Sequence, residues 1–133
     1  MKKLFLLMMV CIAMAVTFVS CEHATATVYF ENHYQYTCAV KVFDGEFTDV
    51  TGQAPVLTAW AKSGKSVVEP GFKFPEVCTV VYYIGTEETT EGEETITTMK
   101  ATYPSVNKDL KGWARVTFSI EANGMYGVSC SNM

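Results

Sequence analysis

Between Thr25 and Cys130 the apolar residues recur at every second position or in short unbroken runs, and nowhere with the 3.6-residue rhythm of an amphipathic helix. Segments Thr25 to Glu31, Gln35 to Phe43, Val56 to Ala61, Ser66 to Glu69, Val77 to Ile84, Thr95 to Tyr103, Trp113 to Glu121 and Met125 to Cys130 are rich in Val, Thr, Tyr, Phe and Ile, with turn residues between them. So many short strands in one small domain predict an all-β fold, an antiparallel β-sandwich of about 7–8 strands. The single helical expectation is a turn or two over Ser105 to Lys111, capped by Ser105 and stopped by Gly112.

Three turns can be read from their chemistry. Asp44-Gly45 predicts a tight type I′ hairpin, which needs positive φ at both central residues. Glu69-Pro70-Gly71-Phe72 predicts a type II turn closing the fourth strand, with Pro setting φ and Gly supplying the positive value. At Asn123-Gly124 a two-residue loop would put Val116, Phe118 and Ile120 on a different face from Tyr126, Val128 and Cys130. One more loop residue, with Gly124 as a left-handed bulge, pairs Ile120 with Tyr126, Phe118 with Val128 and Val116 with Cys130. That register gathers one apolar face and is the one expected; it turns Trp113, Arg115, Thr117 and Ser119 outward.

The N-terminus differs in kind. Met1-Lys2-Lys3 precedes Leu4 to Val19, an uncharged run of 16 residues that includes Cys11. As a helix it would span about 24 Å at ~1.5 Å per residue, short of a hydrocarbon core of ~30 Å, so a removable signal helix is expected rather than a membrane span. Phe18-Val19-Ser20-Cys21 closes the run and resembles the lipobox of bacterial lipoproteins; the Lys-Lys start, Phe18 and the Ser-Cys-Glu junction are similar to the Bacteroidetes type. The resemblance implies a signal peptide over residues 1–20, diacylglycerol on Cys21, a lipidated tether over residues 21–26 and a domain over residues 27–133. It also implies an outer-membrane lipoprotein on the periplasmic face or the cell surface. Cleavage after Ala24-Thr25-Ala26 is the alternative, and would release a soluble secreted domain. Two or three acyl chains at ~0.8 kcal/mol per buried CH₂ would hold the protein on the membrane without help from the domain.

Lys2 and Lys3 are the only charges in residues 1–20, so their removal leaves 8 basic and 14 acidic side chains, a net of −6 against −4 for the whole chain. Such a domain is not expected to bind nucleic acid or an anionic membrane through its overall field.

Candidate chemistry is sparse. Ala59 to Ser66 ends like a phosphate-binding loop, but Val67-Val68-Glu69-Pro70 cannot begin the helix such a loop needs, so no nucleotide is expected. Glu87, Glu88, Glu91, Glu93 and Glu94 lack the spacing of a calcium loop and read as a solvated hairpin tip. Cys38, Cys78 and Cys130 allow one bridge and an odd thiol, or three small buried side chains; they show no metal or redox spacing. With only His23 and His33 as neutral-pH bases and no motif around them, no catalysis, metal or other cofactor is expected.

Aromatic and planar groups remain. Trp113 and Arg115 on the outward strip, with Tyr34 in Asn32-His33-Tyr34-Gln35-Tyr36, are the candidate ligand-binding residues, suited to a glycan or a protein; the competing reading packs Trp113 against a sheet edge. A polar Ser63-Gly64-Lys65-Ser66 turn followed by Val67-Val68-Glu69-Pro70-Gly71 resembles bacterial immunoglobulin-like domains, which implies an immunoglobulin-like sandwich acting as a non-catalytic binding or structural module. Two other functions fit an exported acidic domain. One is an inhibitor or immunity lipoprotein that docks on a basic toxin or hydrolase. The other is a small envelope enzyme built around His33.

Overall fold

The computed structural model describes residues 24–86, 99–102 and 109–132. The signal run, Cys21, His23, the glutamate tip and residues 105–108 of the expected helical turn lie outside them.

Eight strands form in the expected places: β1 (Ala26–Asn32), β2 (Cys38–Asp44), β3 (Leu57–Ala61), β4 (Ser66–Phe72), β5 (Cys78–Gly85), β6 (Met99–Thr102), β7 (Arg115–Ile120) and β8 (Tyr126–Ser131). They make two four-stranded sheets, β4-β1-β7-β8 (sheet I) and β3-β2-β5-β6 (sheet II), which pack into an all-β sandwich. All described pairings are antiparallel except β1 with β7, which is parallel, from Thr27 beside Arg115 to Asn32 beside Ile120. The sheet orders differ from the ABED and CFG orders of immunoglobulin domains, so the likeness to them is one of architecture.

Period-two alternation explains the core. Ala26, Val28, Phe30 and Asn32 of β1 point inward with Val116, Phe118 and Ile120 of β7. They meet Cys38, Val40 and Val42 of β2, Leu57, Ala59 and Ala61 of β3, and Val80, Tyr82 and Ile84 of β5. Tyr82 reaches across the sandwich: its hydroxyl donates to the Gly127 carbonyl at 2.8 Å, and its ring lies 6.2 Å from that of Phe118. Burial pushes the Tyr82 phenol up, with nearby Tyr126 adding to the shift.

The last hairpin takes the bulged register, with Ile120 opposite Tyr126, Phe118 opposite Val128 and Val116 opposite Cys130. Gly124 has φ +83 and its N–H donates to the Glu121 carbonyl, a type I turn followed by a glycine bulge.

The other two turns differ from expectation. Asp44-Gly45 is not a type I′ hairpin: Gly45 has φ +118, but no described residue other than glycine has positive φ. The chain runs on through residues 45–56, which lay Phe47 and Val50 over Phe43 and Val81 on the outer face of sheet II. Thr79 pins this cover, donating to the Gly45 carbonyl at 2.8 Å and accepting from the Phe47 N–H at 2.9 Å. At Glu69-Pro70-Gly71-Phe72 the glycine takes the expected positive φ, but the four residues lie inside β4 rather than after it. Two steps along β1, from Ala26 to Val28, face three along β4, from Phe72 back to Glu69, so the glycine at φ +71 lies in a β-bulge. A proline is compatible with β4 because that strand is a sheet edge.

Candidate binding face

The expected outward strip is broken at Trp113. Strand β7 begins at Arg115, and Gly112, at φ +88, turns the chain just before it, so alternation counted back to residue 113 does not apply. Trp113 is half-buried against the core, and its indole N–H donates to the Asp109 carbonyl at 3.0 Å. The ring therefore serves packing rather than display, and the outward placement of Trp113 is corrected.

Arg115 does face out. Its guanidinium stacks 4.1 Å from the centroid of Tyr29, on the outer face of sheet I. Tyr34 lies past the opposite end of β1, packed against the core and edge-on to Tyr36 at 5.7 Å. Arg115 sits beside Thr27 at the start of β1, whereas Tyr34 follows Asn32 at its end, so the structure does not bring the three candidates together.

A different set converges on the outer face of sheet II. With Leu57, Ala59 and Ala61 inward, Thr58 and Trp60 of β3 point out, and Trp60 is 43% exposed. On β2 the inward Cys38, Val40 and Val42 leave Ala39, Lys41 and Phe43 outward. Register then makes a row across four strands: Trp60 and Tyr83 both stand directly opposite Ala39, and Ala101 stands opposite Tyr83. Ala39 is fully buried between its large neighbours. The Lys41 ammonium sits 4.8 Å from the Tyr83 centroid and 6.0 Å from that of Trp60, within cation–π range of both. The loop over residues 45–56 covers this face around Phe43 and Val81, and Tyr83 packs partly buried against that cluster, so Trp60 is the exposed ring of the row.

The signal for this face was present in the Leu57-Thr58-Ala59-Trp60-Ala61 alternation, which sets the tryptophan apart from three inward residues. Its convergence with Lys41 and Tyr83 depends on the pairing of β2 with both β3 and β5, which no local pattern specifies.

The remaining chemistry is quiet. His33 Nε2 lies 3.7 Å from Glu31 Oε2, with both side chains about half exposed. Lys62 to Lys65 form the β3–β4 turn, in which the Gly64 N–H donates to the Asn32 carbonyl, and the chain continues as strand β4 instead of a phosphate-binding helix. Cys38 is buried, donating to the Tyr36 carbonyl and accepting from the Gly85 N–H, both at 3.4 Å, and its burial raises the thiol pKa. Burial, with the Asp44 carboxylate second, pushes the Cys78 thiol up to about 11. Cys130 packs partly buried against the core. Among the described residues no group of three or more His, Cys, Asp or Glu is placed to hold a metal ion.

Compared with known protein families, curated proteins and solved structures, the chain finds no match.

Proposed function

We propose that this chain is a lipid-anchored envelope protein whose β-sandwich is a non-catalytic binding module, with the outer face of sheet II as its ligand-binding face. The observation that carries the binding reading is the row of Trp60, Ala39 and Tyr83 with Lys41 across it. A tryptophan left 43% exposed beside a second ring and a cation offers stacking area that the core does not use. Arg115 over Tyr29, on the opposite face, retains a lesser claim as a contact for ligand.

Lipidation of Cys21 rests on the lipobox-like Phe18-Val19-Ser20-Cys21. The start of β1 supports it over the alternative cut: Ala26 is buried and paired with Phe72, so cleavage after Ala26 would remove a core residue from its strand. The anchor would leave only residues 22–25 between the lipid and β1.

Two measurements test the reading. Detergent-phase partitioning and intact mass should show a diacylated Cys21, lost in Cys21→Ala; a mature protein beginning at Thr27 would refute the anchor. Screening the protein against glycans and envelope proteins should find a ligand whose binding Trp60→Ala removes without lowering the melting temperature appreciably. A ligand bound equally well by Trp60→Ala would place the site elsewhere.

A further inference from the structure

Asn123 is the one asparagine of the chain that is followed by glycine. In that setting the side-chain amide can be lost. The Gly124 backbone nitrogen attacks the Asn123 side-chain carbonyl carbon and forms a C–N bond, the amide nitrogen leaves as ammonia with the proton from Gly124, and water opens the resulting succinimide to aspartate or isoaspartate. Glycine favours the attack because it has no Cβ to crowd its nitrogen. Water is the only co-reactant, and Asn123 is exposed to it.

In the folded hairpin both reacting groups are engaged elsewhere. The Gly124 N–H donates to the Glu121 carbonyl at 2.9 Å, closing the turn, and Asn123 Oδ1 accepts from the Met125 N–H at 3.1 Å, which holds the amide on Met125 rather than against the Gly124 nitrogen. The glycine is also fixed at φ +83 beneath a ring: a Cβ built on it would come within 3.4 Å of Tyr34 Cε1. Attack therefore requires the turn to open.

The register of the whole hairpin depends on this turn. Ile120 stands opposite Tyr126, Phe118 opposite Val128 and Val116 opposite Cys130 because the loop closed by the Glu121 N–H and the Met125 carbonyl has a fixed length. Isoaspartate routes the main chain through its own Cβ and lengthens that loop by one atom. Aspartate leaves the main chain unchanged and keeps an oxygen that can accept from the Met125 N–H.

We propose that Asn123 is a deamidation site gated by folding: the native turn keeps the amide intact, the unfolded chain converts it, and an isoaspartyl chain retakes the bulged register only at a loss of stability. The site is independent of the binding face on sheet II.

The test holds the full-length protein in mildly alkaline buffer, native and unfolded in guanidinium chloride, and follows the tryptic peptide that begins at Val116 by mass spectrometry, with aspartyl and isoaspartyl forms separated. Conversion at Asn123 should be about tenfold or more slower in the native protein, the scale of opening two hydrogen bonds. Asn123→Gln should lose the signal in the unfolded chain. Asn123→Asp should melt close to wild type, whereas refolded isoaspartyl protein should melt several degrees lower. Equal rates in folded and unfolded protein would overturn the gate, an unfolded chain that keeps its amide would overturn the site, and isoaspartyl protein that melts like wild type would overturn the link to register.

Discussion

The Nδ2 of Asn32 donates to the Ala61 carbonyl at 2.9 Å, joining the last residue of β1 in sheet I to the last residue of β3 in sheet II. The same side chain donates to the Tyr36 carbonyl at 2.8 Å and accepts from the Tyr34 N–H at 2.9 Å. Asn32 is 1% exposed, and no described buried side-chain polar atom lacks a partner, so this amide closes one end of the sandwich while being itself satisfied.

Asn32→Ala would strip three backbone groups of their partner at once. With ~1–3 kcal/mol for each buried group left unsatisfied, and partial rescue by water, a loss of about 3 kcal/mol is expected in a denaturant melt. Asn123→Ala, which removes one exposed bond to the Met125 N–H, should lose less than ~1 kcal/mol. Similar losses at the two sites would refute the role of Asn32 as a clamp between sheets.

Trp113→Ala should destabilise by about 3 kcal/mol, because the half-buried ring leaves a cavity and Asp109 loses its indole donor. Arg115→Ala, two residues on, removes only a surface cation–π contact and should stay within ~1 kcal/mol. A thermal melt of each checks both, and a stable Trp113→Ala would restore the tryptophan as a displayed residue.

Within β7, Phe118→Ala should lose ~3–5 kcal/mol and Thr117→Ala no more than ~0.5 kcal/mol, since their side chains lie on opposite faces. The contrast reports which face of β7 is turned into the core.

Gly85→Ala should fail to reach the native structure or be severely destabilised, because its new methyl group would collide with the Thr37 carbonyl oxygen and Cβ of Tyr36. At Gly127 the nearest atom to a methyl group is Ser119 Oγ at 3.6 Å, an ordinary contact, so Gly127→Ala should fold. Circular dichroism and a urea midpoint distinguish the two.

The Cys78 thiol, raised from 9.0 to about 11, binds its proton more tightly in the folded protein than in the unfolded chain. Stability from this group is therefore complete below pH 9 and is lost as pH climbs from about 9 to about 11. Cys78→Ala should flatten that part of the stability profile. Native-state alkylation of Cys78 should be slow at pH 8 and quicken toward pH 11; fast labelling at pH 8 without unfolding would contradict the raised pKa of this partly buried thiol.

Strand positions and most inward faces were legible in the chain because a half-buried strand writes its two faces into alternate residues: Val116, Phe118 and Ile120 against Arg115, Thr117 and Ser119 is such a record, and Gly124 marks its turn. That record stops where the strand stops, which is why Trp113 was misplaced by counting two residues past the start of β7. Tertiary structure alone decided the rest. Asp44-Gly45 has the chemistry of a tight hairpin, yet the burial of Phe47 and Val50 on Phe43 and Val81, held by Thr79 from a strand 32 residues away in sequence from its bonding partner Phe47, draws the chain into a long cover. Trp60, Lys41 and Tyr83 come from three strands, and their meeting depends on which strands are neighbours. Alternation reports which way a side chain points, whereas strand order is set by long-range packing between sheets, and a one-dimensional pattern carries no trace of it.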